Sequence, residues 1–311
     1  MNLPRNARAL AVVVCCALGA QILAAVPASA YPFRRSLQRG DVGRDVKALE
    51  IRVVGWYPSA EQASLNINQK YTRRTAVAVR AFQRFYGLAV DGVAGPATFS
   101  VLKELQDPNG STVSFRWSEF TQNSNAGCSA KANAYAGTFE GGMGSPTRVK
   151  RYVRQLMWRL EALRAKGGGQ TIGINSGFRS LDYNSCIGGA GSSQHLYGTA
   201  ADQRMANVSN HRERRLAQTT DFSGIGCYSG LSHNHFDIRL NNRNLPSSQF
   251  WWWPTQNRQG QDLDDQNKPC YGEVASSTAS SASIPRPELL SSTQIRAFAT
   301  AGETGDLGTG D

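Results

Sequence analysis

The chain has 311 residues, 40% of them hydrophobic and 18% charged, with a formal net charge of +11. That length has room for about two domains. The charge attracts polyanions, but no nucleic-acid-binding motif accompanies it, and beyond the first thirty residues no segment is long and apolar enough to span a bilayer. Those thirty residues read as a secretory signal peptide: the basic "MNLPRNAR", the apolar "ALAVVVCCALGAQILAAV", then Ala28-Ser29-Ala30 as a small-residue cleavage site. The mature chain is expected to begin near Tyr31, with no stable membrane anchor. Cys15 and Cys16 follow valines rather than small residues, which argues against a lipoprotein site. Losing Arg5 and Arg8 leaves a charge of +9.

Residues 36–107 read as a small three-helix all-α domain with an internal echo. "GDVGRDVKALEIRVVGW" sets Val46, Leu49 and Val53 on one helical face, and "TRRTAVAVRAFQRFYG" does the same with Ala78, Val79, Phe82 and Phe85 before stopping at Gly87. "VDGVAGPATFSVLKEL" supplies an Asp91-Gly92 turn, Pro96 at a helix start, and Phe99, Leu102 and Leu105 for burial. The stretches "GDVGRDVKAL" and "AVRAFQRFYGLAVDGVAGPATF" resemble the peptidoglycan-binding domain often appended to wall hydrolases. The second half matches best; in the first, Asn68-Gln69 stands where the family has an Asp-Gly turn. A purely structural bundle is the alternative.

"LQDPNGSTVSF" reads as a linker into a second domain over 108–270. "SPTRVKRYVRQLMWRLEALRAKGGG" is the clearest helix, with Ser145 as cap, Pro146 in its first turn and three glycines at its end. Its buried stripe is Val149, Tyr152, Val153, Leu156, Leu160 and Leu163. "QTIGINSGF" alternates Ile172 and Ile174 as a strand, so the domain is α+β, helices packed on a small antiparallel sheet. His211 in "NHRERRLAQ" reads as a solvated surface residue. The tryptophans of "QFWWWP" suit sugar stacking or core packing, and packing is favoured. Cys128, Cys186, Cys227 and Cys270 are expected to form structural disulfides after export. Three pairings are open to them, and none stand at CxxC spacing as a thiolate metal cluster would. From Tyr271 onward five acids and two arginines give a tail of −3, leaving about +12 over the ordered region. Residues 271–311 have too little apolar content to order.

Three of the four histidines fall in two short segments, "SSQHLYGTAADQ" and "GLSHNHFDIRL". As a strand, "HNHFDIR" puts His233, His235 and Asp237 on one face and Phe236 and Ile238 on the other. Two histidines and a carboxylate would leave the fourth position of a tetrahedral zinc open for water, as a catalytic site requires.

The combination resembles the secreted zinc D-Ala-D-Ala carboxypeptidases and related wall endopeptidases. Their S-x-H-x-x-G-x-A-x-D stands here as Ser193, His195, Gly198, Ala200 and Asp202, their H-x-H as His233 and His235, and their upstream GFRS as Gly177 to Ser180. The resemblance implies an α+β zinc peptidase domain with His195, Asp202 and His235 as ligands, and Arg179 and Tyr197 serving the active site. Ser232 stands where one branch of the family has a glutamate, and Gly230 where the other has a histidine. The implied proton-transfer role therefore falls to His233, on the ligand face. A guanidinium at 179 suits a substrate ending in a free carboxylate. The expected partner is peptidoglycan, polymer and stem peptides, met by a monomer outside the cell, with zinc as cofactor. A crosslink endopeptidase, or a wall-binding protein without catalysis, is the alternative.

Overall fold

The structure is a computed structural model that describes residues 32–57, 65–227 and 232–238, with the backbone of 251–254. The expected signal peptide 1–30, the tail 271–311, Cys270 and Gly230 lie outside the described residues, as do the side chains of Trp251–Trp253.

The N-terminal unit is built from α1 (Arg44–Val53), α2 (Arg73–Phe85) and α3 (Pro96–Glu104). The apolar faces read from the sequence converge on one core with Val46, Leu49, Val53, Val79, Phe82 and Leu102 fully buried. Thr72 caps α2 through its side chain, in a reciprocal pair with Thr75. The internal echo is structural. In the second copy the Asp91 carboxylate accepts from the Val93 N–H at 2.8 Å and Gly92 turns at φ +75°, and the Gln83 side chain accepts the Gly92 N–H at 2.9 Å. In the first, Asn68 accepts from the Lys70 N–H at 3.1 Å, Gln69 adopts φ +70°, and Glu50 receives the N–H groups of Asn68 and Gln69. The turn thus survives without glycine. Burial pushes the Glu50 carboxyl up to about 7 against those hydrogen bonds.

Beyond it come α4 (Pro146–Lys166), β1 (Ile172–Ser176), α5 (Leu181–Cys186), β2 (Ala200–Met205), α6 (Asn210–Ala217), β3 (Gly224–Cys227), β4 (Asn234–Asp237) and β5 (Trp251–Pro254). The sheet order is β1-β2-β4-β3-β5, antiparallel throughout except that the edge strand β5 runs parallel to β3. One face of the sheet packs Ile172, Ala201, Met205, Ile225 and Phe236 against Val153, Leu156 and Leu160 of α4. Ser145 occupies the cap position of α4 but makes no side-chain bond there. Nor is α4 apolar on one stripe only. Trp158, Ala162 and Ala165, on its other side, are buried in the core of the N-terminal unit. The segment read as a linker is ordered between them: Gln106 bridges to Thr112, and Ser111 and Thr112 are buried.

Candidate metal centre

Strand alternation places the site. On β2, Ala201 and Met205 enter the core, so Asp202 projects from the opposite face. On β4, Phe236 enters the core and His235 and Asp237 project beside Asp202, since Asp202 pairs with His235 in the register. The third group comes from the 3-10 turn Gln194–Tyr197, which Ser193 caps and Gly198 ends at φ +71°. A Cβ on Gly198 would lie 2.7 Å from Val149, so glycine lets this turn sit on α4.

Three ligand atoms converge there. His195 Nε2 lies 3.2 Å from Asp202 Oδ1 and 3.2 Å from His235 Nδ1, and Asp202 Oδ1 lies 2.8 Å from His235 Nδ1. Among the described residues, His195, Asp202 and His235 form a group able to hold a metal ion, their donor atoms all within 4.8 Å. The far side of each imidazole is also held. His195 Nδ1 faces the Gly177 carbonyl at 2.6 Å, which makes it the donor and leaves Nε2 bare. His235 Nε2 faces the Asp237 carboxylate at 3.3 Å, which turns Nδ1 inward. Gly224 makes room for that carboxylate, since a Cβ there would come within 2.3 Å of it. Two nitrogens and one oxygen, each oriented from behind, are a donor set suited to a borderline metal with one open position.

Burial disfavours protonation of His195 and lowers its pKa despite Asp202. Burial acts the same way on His235, but its hydrogen bonds to Asp202 and Asp237 outweigh it and push the imidazole up to about 9. Burial would raise the Asp202 carboxyl, yet the two imidazoles hold it far below the usual carboxylate range. Asp202 is therefore an anion at any physiological pH.

The remaining sequence candidates are placed around this centre. Arg179 donates from Nη2 to Asp202 Oδ2 and from Nε to Ser176 Oγ at 2.8 Å, and its backbone N–H bonds the His195 carbonyl at 3.1 Å. Arg179 is thus tied to two ligands, a role the motif alone did not reveal. Tyr197 follows His195 by two residues and is half-buried. His233 stands half-buried in a bend just ahead of β4 and is not among the three grouped ligands. His211, expected to be solvated, is half-buried and engaged on α6.

In the sequence Asp237 stands as a spare carboxylate, and Gly177 appears only as part of the GFRS match, with no role for its carbonyl. The i, i+2 spacing from His235 was the available signal for the first. A backbone carbonyl leaves none for the second. Cys128 and Cys186 form a disulfide that ties the 121–144 loop to α5, selecting one of the open pairings for that pair. Phe178, next to Arg179, bonds through its N–H to the Phe120 carbonyl, and Ser180 through its own to Asn123 Oδ1, so the 176–180 segment is clamped where the 3-10 turn Trp117–Phe120 leads into that loop.

Residues 115–237 match the model of the Peptidase M15 family, and residues 42–102 the family described as "Putative peptidoglycan binding domain". A zinc D-Ala-D-Ala carboxypeptidase of Streptomyces albus G is 38% identical over 172 residues, which are 55% of this chain and 62% of that protein. The chain thus spans less than two thirds of that relative's length. Of solved structures, the SleB N-terminal domain is 32% identical over 23% of this chain and 93% of its own, with a TM-score of 0.20. A Burkholderia AP3 phage endolysin is 38% identical over 22% of this chain and 25% of its own, also with a TM-score of 0.20. Along the chain, then, a match to a peptidoglycan-binding family over residues 42–102 is followed by a match to the Peptidase M15 family over residues 115–237.

Proposed function

We propose that the protein is a secreted, zinc-dependent peptidoglycan peptidase that removes the terminal D-alanine of stem peptides ending in D-Ala-D-Ala. The observation that carries this reading is the convergence of His195 Nε2, Asp202 Oδ1 and His235 Nδ1, three donors with their other polar atoms already satisfied. The similarity to a carboxypeptidase over 172 residues supports the choice of metal and bond.

Bound zinc at this site would supply a water of lowered pKa and polarise the scissile carbonyl. The chain's residues do the rest. Gly177 and Asp237 each hold the far nitrogen of an imidazole, which leaves His195 Nε2 bare and directs His235 Nδ1 inward to ligate once it gives up its proton. Arg179 occupies Asp202 Oδ2 and leaves Oδ1 turned inward. Arg179 Nη1 has no partner among the described residues, so the same guanidinium can donate to the developing oxyanion or to the substrate's free carboxylate. His233, two residues ahead of His235 and outside the three-donor group, is the residue to pass a proton to the leaving amine. The N-terminal unit would hold the enzyme on polymer and raise the effective substrate concentration.

Metal content and hydrolysis of a small acylated D-Ala-D-Ala peptide, measured beside hydrolysis of crosslinked muropeptides, test the proposal. Release of D-alanine from the small peptide by the zinc-loaded protein is expected. Cleavage of crosslinked muropeptides alone would make it an endopeptidase, and bound zinc without any hydrolysis would make it a wall-binding protein.

A further inference from the structure

The first half of α4 has a face that the peptidase reading does not use. Lys150, Arg151 and Arg154 stand on the side of the helix opposite Val149, Tyr152, Val153 and Leu156, with Arg148 at the edge of that side. Arg148, Lys150 and Arg151 are exposed and Arg154 half-buried. Among the described residues none of the four makes an ion pair, although Lys131, Arg159 and Arg179 each find an acid. Glu119, two residues from Trp117, is engaged with the backbone N–H of Arg116, and Glu161, the next acid along α4, accepts from Ser114.

Arg154 is the least ordinary of the group. Its Nε is buried without a partner, and its guanidinium packs against Gly110 and lies 5.7 Å from the Trp117 ring centroid. Desolvation lowers its pKa with no carboxylate to offset it. Lys150 sits over the same ring at 4.7 Å. A desolvated cation held beside two more, with no counter-charge among the described residues, is a site that gains by taking up an anion.

The position of this face gives it meaning. Its start, at Arg148, adjoins Val149, which packs on Gly198 of the turn bearing His195, and its end, at Arg154, abuts Gly110 beside the N-terminal unit. It therefore runs from the end of α4 that backs the turn bearing His195 toward the peptidoglycan-binding-type domain. Arg148, Arg151 and Arg154 advance about 4.5 Å per step along the helix, so the track favours a flexible strand with charges repeated along it.

We propose that this face binds a phosphodiester polymer of the cell wall, laid along α4 between the two domains. The inference rests on the reading that the protein works at the wall. Three guanidinium forks favour phosphodiester groups, each of which offers two equivalent oxygens. Nucleic acid has the same backbone chemistry, but single strands are usually held by aromatic rings open to stacking. Here the Trp117 ring is already taken by Lys150 and Arg154.

The test is binding of the full chain to soluble poly(glycerol phosphate) over a range of salt, compared with a single-stranded oligonucleotide of equal charge. The variants are Arg148→Gln with Arg151→Gln, Arg154→Gln alone, and Arg204→Gln with Arg212→Gln as an equal loss of charge from exposed positions elsewhere. The Arg148/Arg151 pair should weaken polymer binding about tenfold or more near physiological salt and flatten the log–log salt slope by about 1.4. The Arg204/Arg212 pair should change affinity less than about twofold. Because the first pair is exposed, its result stands even if Arg154→Gln fails to fold. No binding by the unaltered protein, equal losses in the two double variants, or tighter binding to the oligonucleotide would each overturn the proposal. Hydrolysis of the small D-Ala-D-Ala peptide by the unaltered protein is measured alongside. Hydrolysis without polymer binding removes this inference and leaves the peptidase reading, and polymer binding without hydrolysis does the reverse.

Discussion

His233 and His235 stand two residues apart and are assigned different work. His235 supplies Nδ1 to the three-donor group, while His233 lies half-buried ahead of the strand and outside that group. His233→Ala should keep its zinc and lose turnover by a factor on the order of 10² to 10⁴, the range for a positioned general acid or base. His235→Ala should lose zinc and activity together. Metal analysis beside kcat separates the two; zinc lost from His233→Ala and kept in His235→Ala would exchange the roles. His235 also sets a pH dependence. In the metal-free protein its imidazole holds a proton up to about pH 9, because Asp202 and Asp237 outweigh the effect of burial. That proton must leave Nδ1 for a metal to bind, so affinity rises with pH below 9. His195, held neutral by burial, adds no second proton. Competition with a chelator, corrected for the chelator's own protonation, should show affinity rising by close to tenfold per pH unit between about pH 6 and 8. A flat profile would remove His235 from the ligand set.

At the scale of elements, the two copies of the helix-turn unit provide a direct comparison. Gly92 and Gln69 hold the same left-handed conformation, at φ +75° and +70°, but only glycine adopts it without a Cβ penalty. Gln69→Gly should therefore stabilise the N-terminal unit by about 0.5–1 kcal/mol once the added freedom of the unfolded chain is deducted. Thermal unfolding checks this, and a lower Tm would show that the Gln69 side chain earns its place by contacts. The helices of this unit were legible from the sequence because Val46, Leu49 and Val53, and Val79 with Phe82, recur at helical spacing. The three candidate ligands were legible because the stretch that resembles the family's motif contains them. What holds the ligands was not. Arg179 reaches Asp202 only because β1 and β2 pair with Ser176 opposite Asp202, and strand register is not written in either segment alone. Likewise the apolar stripe of α4 was visible, but Trp158 and Ala162 lie among Arg159, Glu161 and Arg164, which masks a second buried face. Those charges are buried as well: Arg159 pairs with Asp221 at 3.4 Å, and the Glu161 carboxylate accepts from Ser114.

For the whole molecule, α4 is shared property. Its one side completes the core behind the metal centre and its other side completes the core of the N-terminal unit. Lys166 ties them further, donating to the Gly55 carbonyl at 2.8 Å and to the Thr219 carbonyl across the helix end. Gly55 is where the two halves come closest, since a Cβ there would lie 2.6 Å from Ala162 Cβ and 3.1 Å from Arg159 Cα. Gly55→Leu should cost about 1–3 kcal/mol or more by overpacking, and calorimetry should show one unfolding transition in the unaltered protein and two in the variant. Two transitions in both would mean that the halves unfold independently despite their shared helix. All of this architecture serves to bring a 3-10 turn and two strands to one point, and the central claim is that this point is a zinc site. Elemental analysis of the purified, dialysed protein beside its Asp202→Ala variant tests that claim most directly. The account predicts about one zinc per chain in the unaltered protein and little in the variant, because three protein ligands are what a catalytic site retains. Full zinc in Asp202→Ala, or none in the unaltered protein, would contradict it.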